Sequence, residues 1–566
     1  MIFENLIAAA GTVFELQTIG LIMIGVAAGL ITGAIPGFTI TMAVVLTLPF
    51  TFGMTATQGL ATMIGVLVGG LSGGLMAGML TGIPGTPSSV ATTFDGFPMS
   101  RKGQPGFALG IGVWSSFFGG LISGCVLVTL APQLARIGLE FAPWDYFMLV
   151  MFALTITASL SGKALLKGVI AGALGLLAST IGEDEVNGVA RFTFGSDELE
   201  QGFDFLPVLV GLFAFSQLLS DVQDPEKARK PLMPKGAKAV SIEHRRAIGE
   251  VLRRWTVLVR SAFIGVFTGI LPGAGGSVAN ILAYDQAKKF SKQPETFGSG
   301  TPEGIIAPES SNNAVEGGAL CTLMALGIPG DVTAAVMLGA LLIHDIVPSP
   351  SFIGDEPVLA YSIFIAFFFA HFIMITLQAL CLRVFVRVTR VPMYVLASVI
   401  LIYCAIGVFA LHNIEFDLWV LFLFGVIGYT MRRFGFPLAP MILGVVLGDI
   451  AELNLNRAWS MSDDVTLFFT RPWSAFFLIM AAFSTVFPWY QRDRGRRKWT
   501  LAYPGAFAMS VAVPLFAMGG TARPVIATFL FLLGAWLLWR QRKSGWRVVA
   551  PEPRTGPETR LEETFE

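Results

Sequence analysis

The feature that most constrains this chain is the recurrence of apolar runs long enough to cross a membrane. Tyr361 to Leu380 (YSIFIAFFFAHFIMITLQAL) holds no Asp, Glu, Lys or Arg, and Arg523 to Trp539 (RPVIATFLFLLGAWLLW) is charged only at its first residue. A helix needs about 20 such residues to span the hydrocarbon core, and roughly 14 segments approach that length. Charged residues are 13% of the chain, against about 25% in a soluble domain. Hydrocarbon cannot satisfy a free backbone N–H or C=O, so the expected fold is an all-α polytopic membrane protein. The formal net charge of zero argues against a nucleic-acid partner. Cys125, Cys321, Cys381 and Cys404 lie in apolar segments, form no CxxC pair and read as inert buried thiols. No basic residue precedes Arg101, so the charged start of a cleavable signal peptide is not expected.

The helices are interrupted in a pattern that repeats. Gly29 to Gly37 (GLITGAIPG) recurs as Gly265 to Gly273 (GVFTGILPG), and Gly82 to Gly85 (GIPG) recurs as Gly327 to Gly330. Two motifs in the same order point to an internal duplication. Cytoplasmic loops are enriched in Lys and Arg. That rule puts Arg101 and Lys102, Lys163 and Lys167, Lys227 to Arg254, Arg383 to Arg390, Arg432 and Arg433, and Arg492 to Lys498 inside. The acidic loop Gly182 to Asp204 and the stretch Asp345 to Pro357 go outside. The two copies then enter from opposite sides, as in the inverted repeats of secondary transporters. Lys288, Lys289 and Lys292 follow the PGAGG break too soon for a full crossing, so this piece is expected to return as a re-entrant hairpin. Thr301-Pro302-Glu303 reads as the next helix start, with Pro302 at its first position. The expected organisation is a first membrane half (1–220), a basic cytoplasmic linker (221–255), a second, inverted half (256–490), an extra hairpin (491–550) and a disordered tail (551–566).

Polar residues set among these breaks are expensive in a membrane and are functional candidates on that ground. Glu309, Asn312, Asn313 and Glu316 fall at i, i+3, i+4 and i+7, which is one face of a helix. The breaks themselves offer helix N-termini, with unpaired N–H groups and partial positive charge suited to a carboxylate. Gly37, Thr39, Thr41, Gly85, Thr86, Ser88, Ser89, Gly273, Gly275 and Ser277, with Asn312 and Asn313, are the candidate substrate-binding residues. The alternative is that the hydroxyls are ordinary N-caps. Asp95, Glu309, Glu316 and Asp331 suit Na⁺ or H⁺ coupling, or helix capping, better than binding of an anion. Gly65, Gly69 and Gly73, and Gly70, Gly74, Gly78 and Gly82, form two four-residue rows for close helix contact. His371 is expected to be a packed histidine. Enzyme motifs are missing: GAGGSV has Val278 where a dinucleotide fingerprint needs glycine, and neither a P-loop nor HExxH occurs.

Taken in order, GAIPG (Gly33 to Gly37), GIPGTPSSVATTFDGFPMSRKGQPGFALG (Gly82 to Gly110), GVARFTFG (Gly188 to Gly195), GILPGAGG (Gly269 to Gly276), GTPEGIIAPESSNNAVEGGAL (Gly300 to Leu320) and GIPGD (Gly327 to Asp331) resemble the large membrane subunit of tripartite tricarboxylate transporters, the TctA family. The resemblance covers about Ile19 to Phe487; the two apolar segments from Tyr503 to Trp539 exceed it. It implies a carrier in the bacterial inner membrane, working with a small four-span membrane subunit and a periplasmic solute-binding protein that delivers a carboxylate. An ion gradient, with Na⁺ as one possible coupling ion, would drive uptake without ATP. A passive anion channel and a membrane scaffold without transport are the alternatives.

Overall fold

In a computed structural model, residues 2–35, 37–160, 164–184, 186, 188–223, 241–388 and 393–546 are described. Pro36, Lys163, most of the basic linker, Arg390 and the tail from Pro551, all read above, lie outside them, as do the side chains of Cys381 and Arg383. The described residues are 81% helical. The only strands among the described residues are Gly182–Glu183 and Ala190–Arg191, paired antiparallel in the acidic loop. Nine described helices are long and apolar enough to cross a membrane, and six more are apolar but shorter. Three of those six, Ile40–Thr51, Trp255–Ile270 and Val332–Ile343, border the breaks.

The chain forms two compact units, Met1–Glu140 with Leu166–Asp449, and Phe141–Leu165 with Ile450–Glu566. In the first unit two sets of five helices follow one another. The first set is α1 (Leu16–Gly33), α2 (Ile40–Thr51), α3 (Ala56–Thr81), α4 (Val90–Arg101) and α5 (Pro105–Gly138), with 18, 12, 26, 12 and 34 residues. The second is α6 (Trp255–Ile270), α7 (Gly275–Phe290), α8 (Glu303–Leu326), α9 (Val332–Ile343) and α10 (Pro357–Val388), with 16, 16, 24, 12 and 32. Each third helix ends on a left-handed glycine, Gly82 (φ 80°) or Gly327 (φ 72°), whose N–H closes the last turn. That backbone conformation is why the motif is GIPG and not AIPG. Pro302 stands at the N-cap of α8, one place earlier than expected, and Glu303 opens the helix.

Backbone packs on backbone within each set. A Cβ at Gly29 of α1 would lie 2.1 Å from Val66 O of α3, and one at Gly69 of α3 2.2 Å from Val26 O of α1. Gly265 and Gly269 of α6 meet Ser311 O and Val315 O of α8 in the same way, at 2.2 and 1.9 Å. The second glycine row of α3 faces elsewhere: Gly74 meets Thr86 and Ser89, and Gly78 meets Thr93. Small residues let helices approach this closely where lipid gives no hydrophobic drive to pack. The result is that α8 is buried from Gly304 to Ala325 without a gap. At ~1.5 Å per residue it is long enough to span, and its polar face is tolerated because protein covers it.

In the second unit, Pro143–Leu160 packs on Pro472–Asp493. Fully buried Asp145 joins them: it accepts from Ala142 N (2.9 Å) and Ser474 Oγ (2.6 Å) and pairs with Arg471 (3.0 Å). The two surplus apolar segments form Trp499–Ala517 and Ala522–Lys543, which pack together around Gly505 and Gly534. Cys321 and Cys404 are buried, but Cys125 is exposed. It lies on an outward side of α5, a helix too long for every face to be covered; an apolar neighbourhood in sequence does not specify the covered face.

Candidate functional site

The four breaks meet crosswise. Thr41, just after the first break, lies 3.0 Å from Thr333, just after the last, Oγ1 to Oγ1. Ser88, after the second break, packs against Gly276, after the third: a Cβ at Gly276 would lie 2.9 Å from Ser88 Cβ and 2.7 Å from Asn312 Oδ1. Asn280 Oδ1 of α7 accepts from Ala91 N at the start of α4, at 2.7 Å. Thus α2 is partnered with α9, and α4 with its counterpart-in-exchange α7. The pairing of α10 with α3 (Gln378 Nε2 to Ser72 O, 2.8 Å) and of α5 with α8 (Ser116 Oγ to Glu309 Oε2, 3.0 Å) follows the same exchange. The third and fourth breaks touch through Gly273 N, which donates to Gly330 O (2.9 Å), and through Gly275, whose Cβ would lie 3.9 Å from Asp331 Cβ.

Five helices tie their polar groups together at Glu309 and Asn313. Thr92 Oγ1 and Ser116 Oγ donate to the two Glu309 carboxylate oxygens at 2.6 and 3.0 Å. Asn280 Nδ2 donates to Thr92 Oγ1 at 3.4 Å. Asn313 Nδ2 donates to Glu309 O (3.1 Å) and its Oδ1 accepts from Ser72 Oγ (2.9 Å). Asn312 sits one residue round the helix; its Nδ2 donates to Leu71 O at 3.3 Å, while its Oδ1 is buried without a donor. Glu316 Oε2 is likewise buried without a donor. A buried polar network of this kind is costly where partly satisfied. On this face Asn312 Oδ1 and Glu316 Oε2 are left unsatisfied, whereas Glu309 and Asn313 are saturated.

The remaining candidates take definite places. Asp95 is saturated from outside its helix: Gly300 N (2.7 Å), Thr301 N (2.8 Å), Gly298 N (3.0 Å) and Tyr284 Oη (2.9 Å) all donate to it, so it holds the turn that leads into α8. Asp331 caps α9, accepting from Ala334 N at 2.7 Å, and Thr39 caps α2, accepting from Met42 N at 3.1 Å. Thr86, Ser88 and Ser89 satisfy one another, with Oγ1 to Oγ separations of 3.2 and 3.3 Å from Thr86 and a 2.9 Å bond from Ser89 Oγ to Thr86 O. Gly85 is wedged against Gly33 O and Gly74. Gly37 and Ser277 are exposed. His371 is buried, with Nδ1 2.8 Å from Phe367 O and Nε2 against Gly120 without a partner. Among the described residues no three His, Cys, Asp or Glu side chains group as a metal site. Ser72, Thr92, Ser116, Asn280, Thr333 and Gln378 belong to the cluster and were not singled out above. The available signal was weak, a lone polar residue inside an apolar helix, clearest for Ser72, the one polar residue between Met63 and Leu80.

Helix starts at four breaks, paired across two repeated sets around one buried polar helix, define a multi-pass membrane protein of the broken-helix kind. The chain matches the tripartite tricarboxylate transporter TctA family over residues 19–443. It belongs to that family of transporters. It is similar to an uncharacterized 52.8 kDa protein in the TAR-I ttuC' 3' region of Agrobacterium vitis, 33% identical over 422 residues, 73% of this chain and 82% of the relative. An uncharacterized protein in the TAR-II ttuC' 3' region of the same organism is 34% identical over 212 residues, 37% of this chain and 88% of that relative. No solved structure matches.

Proposed function

We propose that the chain is the large membrane subunit of a binding-protein-dependent importer of di- and tricarboxylates, set in a bacterial inner membrane and driven by a Na⁺ or H⁺ gradient. A small membrane subunit and a periplasmic solute-binding protein complete it. The two five-helix sets are oppositely oriented halves. The carboxylate is held at the paired breaks, and the acidic groups of the polar face serve the coupling ion. The observation that carries this reading is the crosswise meeting of the breaks beside a fully buried helix that carries carboxyls and amides. Fixed N–H ends suit an anion, and carboxyls suit a cation, so both can be held near each other at low cost.

The opposite orientation has separate support. Lys102, at the end of α4, donates to Ser299 O (2.6 Å) just before α8, where Arg254 also meets Glu303 (3.6 Å). His344, at the end of α9, lies instead against Gly59 at the start of α3. Each set's fourth helix thus ends beside the other set's third helix, and only the first of these two places is basic, as the inside face should be. The test is uptake of labelled di- and tricarboxylates into proteoliposomes with the cognate binding protein. Accumulation against a gradient, lost on adding an ionophore, is expected. Equilibration without accumulation would make the chain a channel, and no flux at all would make it a scaffold.

A further inference from the structure

The helices that open after the four breaks are not finished alike. α2 starts under Thr39, which accepts from Met42 N (3.1 Å), and α9 under Asp331, which accepts from Ala334 N (2.7 Å). After the second break, Ser89 Oγ closes on Thr86 O (2.9 Å), and Asn280 Oδ1 accepts from Ala91 N beyond it (2.7 Å). α7 is the exception. Its N-cap is Ala274, which has no polar side chain to offer, and no protein group among the described residues accepts from the N–H of Gly275, Gly276 or Ser277. Asp331, whose Cβ lies 3.9 Å from the Cβ position of Gly275, caps its own helix instead. Free N–H groups at a helix start carry partial positive charge and suit an anion. A side chain would block this start: a Cβ at Gly276 would lie 2.9 Å from Ser88 Cβ and 2.7 Å from Asn312 Oδ1. Gly275, at φ 56°, and Gly276 therefore leave bare backbone for a ligand to meet.

A second feature stands at the same spot. Asn312 is fully buried, and its Nδ2 donates to Leu71 O (3.3 Å), which fixes the amide with Oδ1 toward Gly276. That oxygen accepts from nothing. Its neighbour Asn313 is satisfied at both ends, by Glu309 O and Ser72 Oγ. A buried acceptor without a donor is costly, and a carboxylate, which only accepts, cannot relieve it. A free cation would have to sit against the positive end of α7. A hydroxyl carried by the acid which that end holds brings the missing donor without added charge. We propose that the start of α7 holds one carboxylate of the substrate and that Asn312 Oδ1 accepts a hydrogen bond from a hydroxyl beside it, so that the site selects 2-hydroxy di- and tricarboxylates over their deoxy analogues. This names the substrate class of the importer reading and rests on that reading. A site built to bond a substrate hydroxyl rejects the analogue lacking it, because its own buried group is then left unpaired.

The test uses the full chain in liposomes with Ser277→Cys as a reporter, its own four cysteines replaced by serine. The Ser277 side chain is exposed, and the substitution keeps its N–H. Protection of this thiol from a water-soluble maleimide is titrated with malate and with succinate, which differ by one hydroxyl. Malate should protect at a concentration at least about tenfold lower than succinate, the worth of one hydrogen bond to a buried acceptor. Adding Asn312→Leu, of similar size but without the acceptor, should raise the malate concentration to that of succinate and leave succinate little changed. Equal protection by the two acids with Asn312 in place, or a preference for malate that survives Asn312→Leu, would overturn the role of Asn312. Protection by neither acid, or a thiol that never reacts, would take this helix start out of the site. Any of these results in a protein that still accumulates carboxylates with its binding protein overturns the present inference alone; absence of uptake for every acid overturns the importer reading.

Discussion

Adding one methyl group at Gly330 tests how tightly the broken helices are built. The Cβ of Gly330→Ala would lie 1.9 Å from Gly269 O and 2.7 Å from Ala319 Cα. Favourable heavy-atom contacts lie at about 3.5–4.0 Å, so α6 and the break would have to part by more than ~1 Å. Overpacking of this kind costs about 1–3 kcal/mol. The same movement pulls on the Gly273 N–Gly330 O hydrogen bond of 2.9 Å, worth ~1 kcal/mol. A loss of about 2–4 kcal/mol follows. Gly85→Ala, at the equivalent break, should lose a similar amount, since its Cβ would lie 2.2 Å from Gly33 O and 2.9 Å from Gly74 Cα. Gly354→Ala is the control, with nothing within 4 Å, and should stay within about 0.5 kcal/mol. The assay is reversible unfolding by SDS titration in bicelles. Midpoints for Gly330→Ala and Gly85→Ala that match Gly354→Ala would refute the packing described for both breaks.

Further outcomes follow from single residues. Asp95→Ala should speed amide exchange at Gly298, Gly300 and Thr301, because these N–H groups lose a charged acceptor worth about 1.5–3 kcal/mol each way; unchanged exchange would remove Asp95 from that turn. Arg471→Ala leaves Asp145 buried with neutral donors only, and should cost up to about 3–5 kcal/mol by the same SDS titration. Asn312→Ala and Asn313→Ala should each abolish carboxylate uptake while the protein still inserts; near wild-type uptake by both would remove this segment from the site. A lipid-permeant maleimide should label Cys125 in the folded protein and leave Cys321 and Cys404 unmodified until SDS is added.

The breaks and the polar helix were legible in the sequence. Glycine and proline carry backbone constraints that survive without coordinates, so GLITGAIPG and GIPG could be placed before any helix was seen. The spacing of Glu309, Asn312, Asn313 and Glu316 likewise put them on one face, and α8 bears that out. What could not be read was which groups would be saturated. Asp95 and Glu316 look alike in the chain, yet the donors to Asp95 come from residues about two hundred positions away, and those are supplied by a turn, not by a motif. Ser277 looked like Ser88, both just after a glycine break, but one is exposed and the other buried, because the pitch of the following helix decides which way a side chain faces. The side of α5 on which Cys125 lies was illegible for the same reason.

The claim beneath all of this is that the breaks of the two sets meet in exchange, first with last. Thr41→Cys with Thr333→Cys, in a chain whose own four cysteines are replaced by serine, measures it directly, since the two hydroxyls lie 3.0 Å apart and disulfides form only at such short range. With a protease site placed between residues 223 and 241, mild oxidation in the membrane should leave the cleaved halves joined on a non-reducing gel and separate on reduction. Halves that part without reductant, under conditions that oxidise a control pair within one set, would contradict the account.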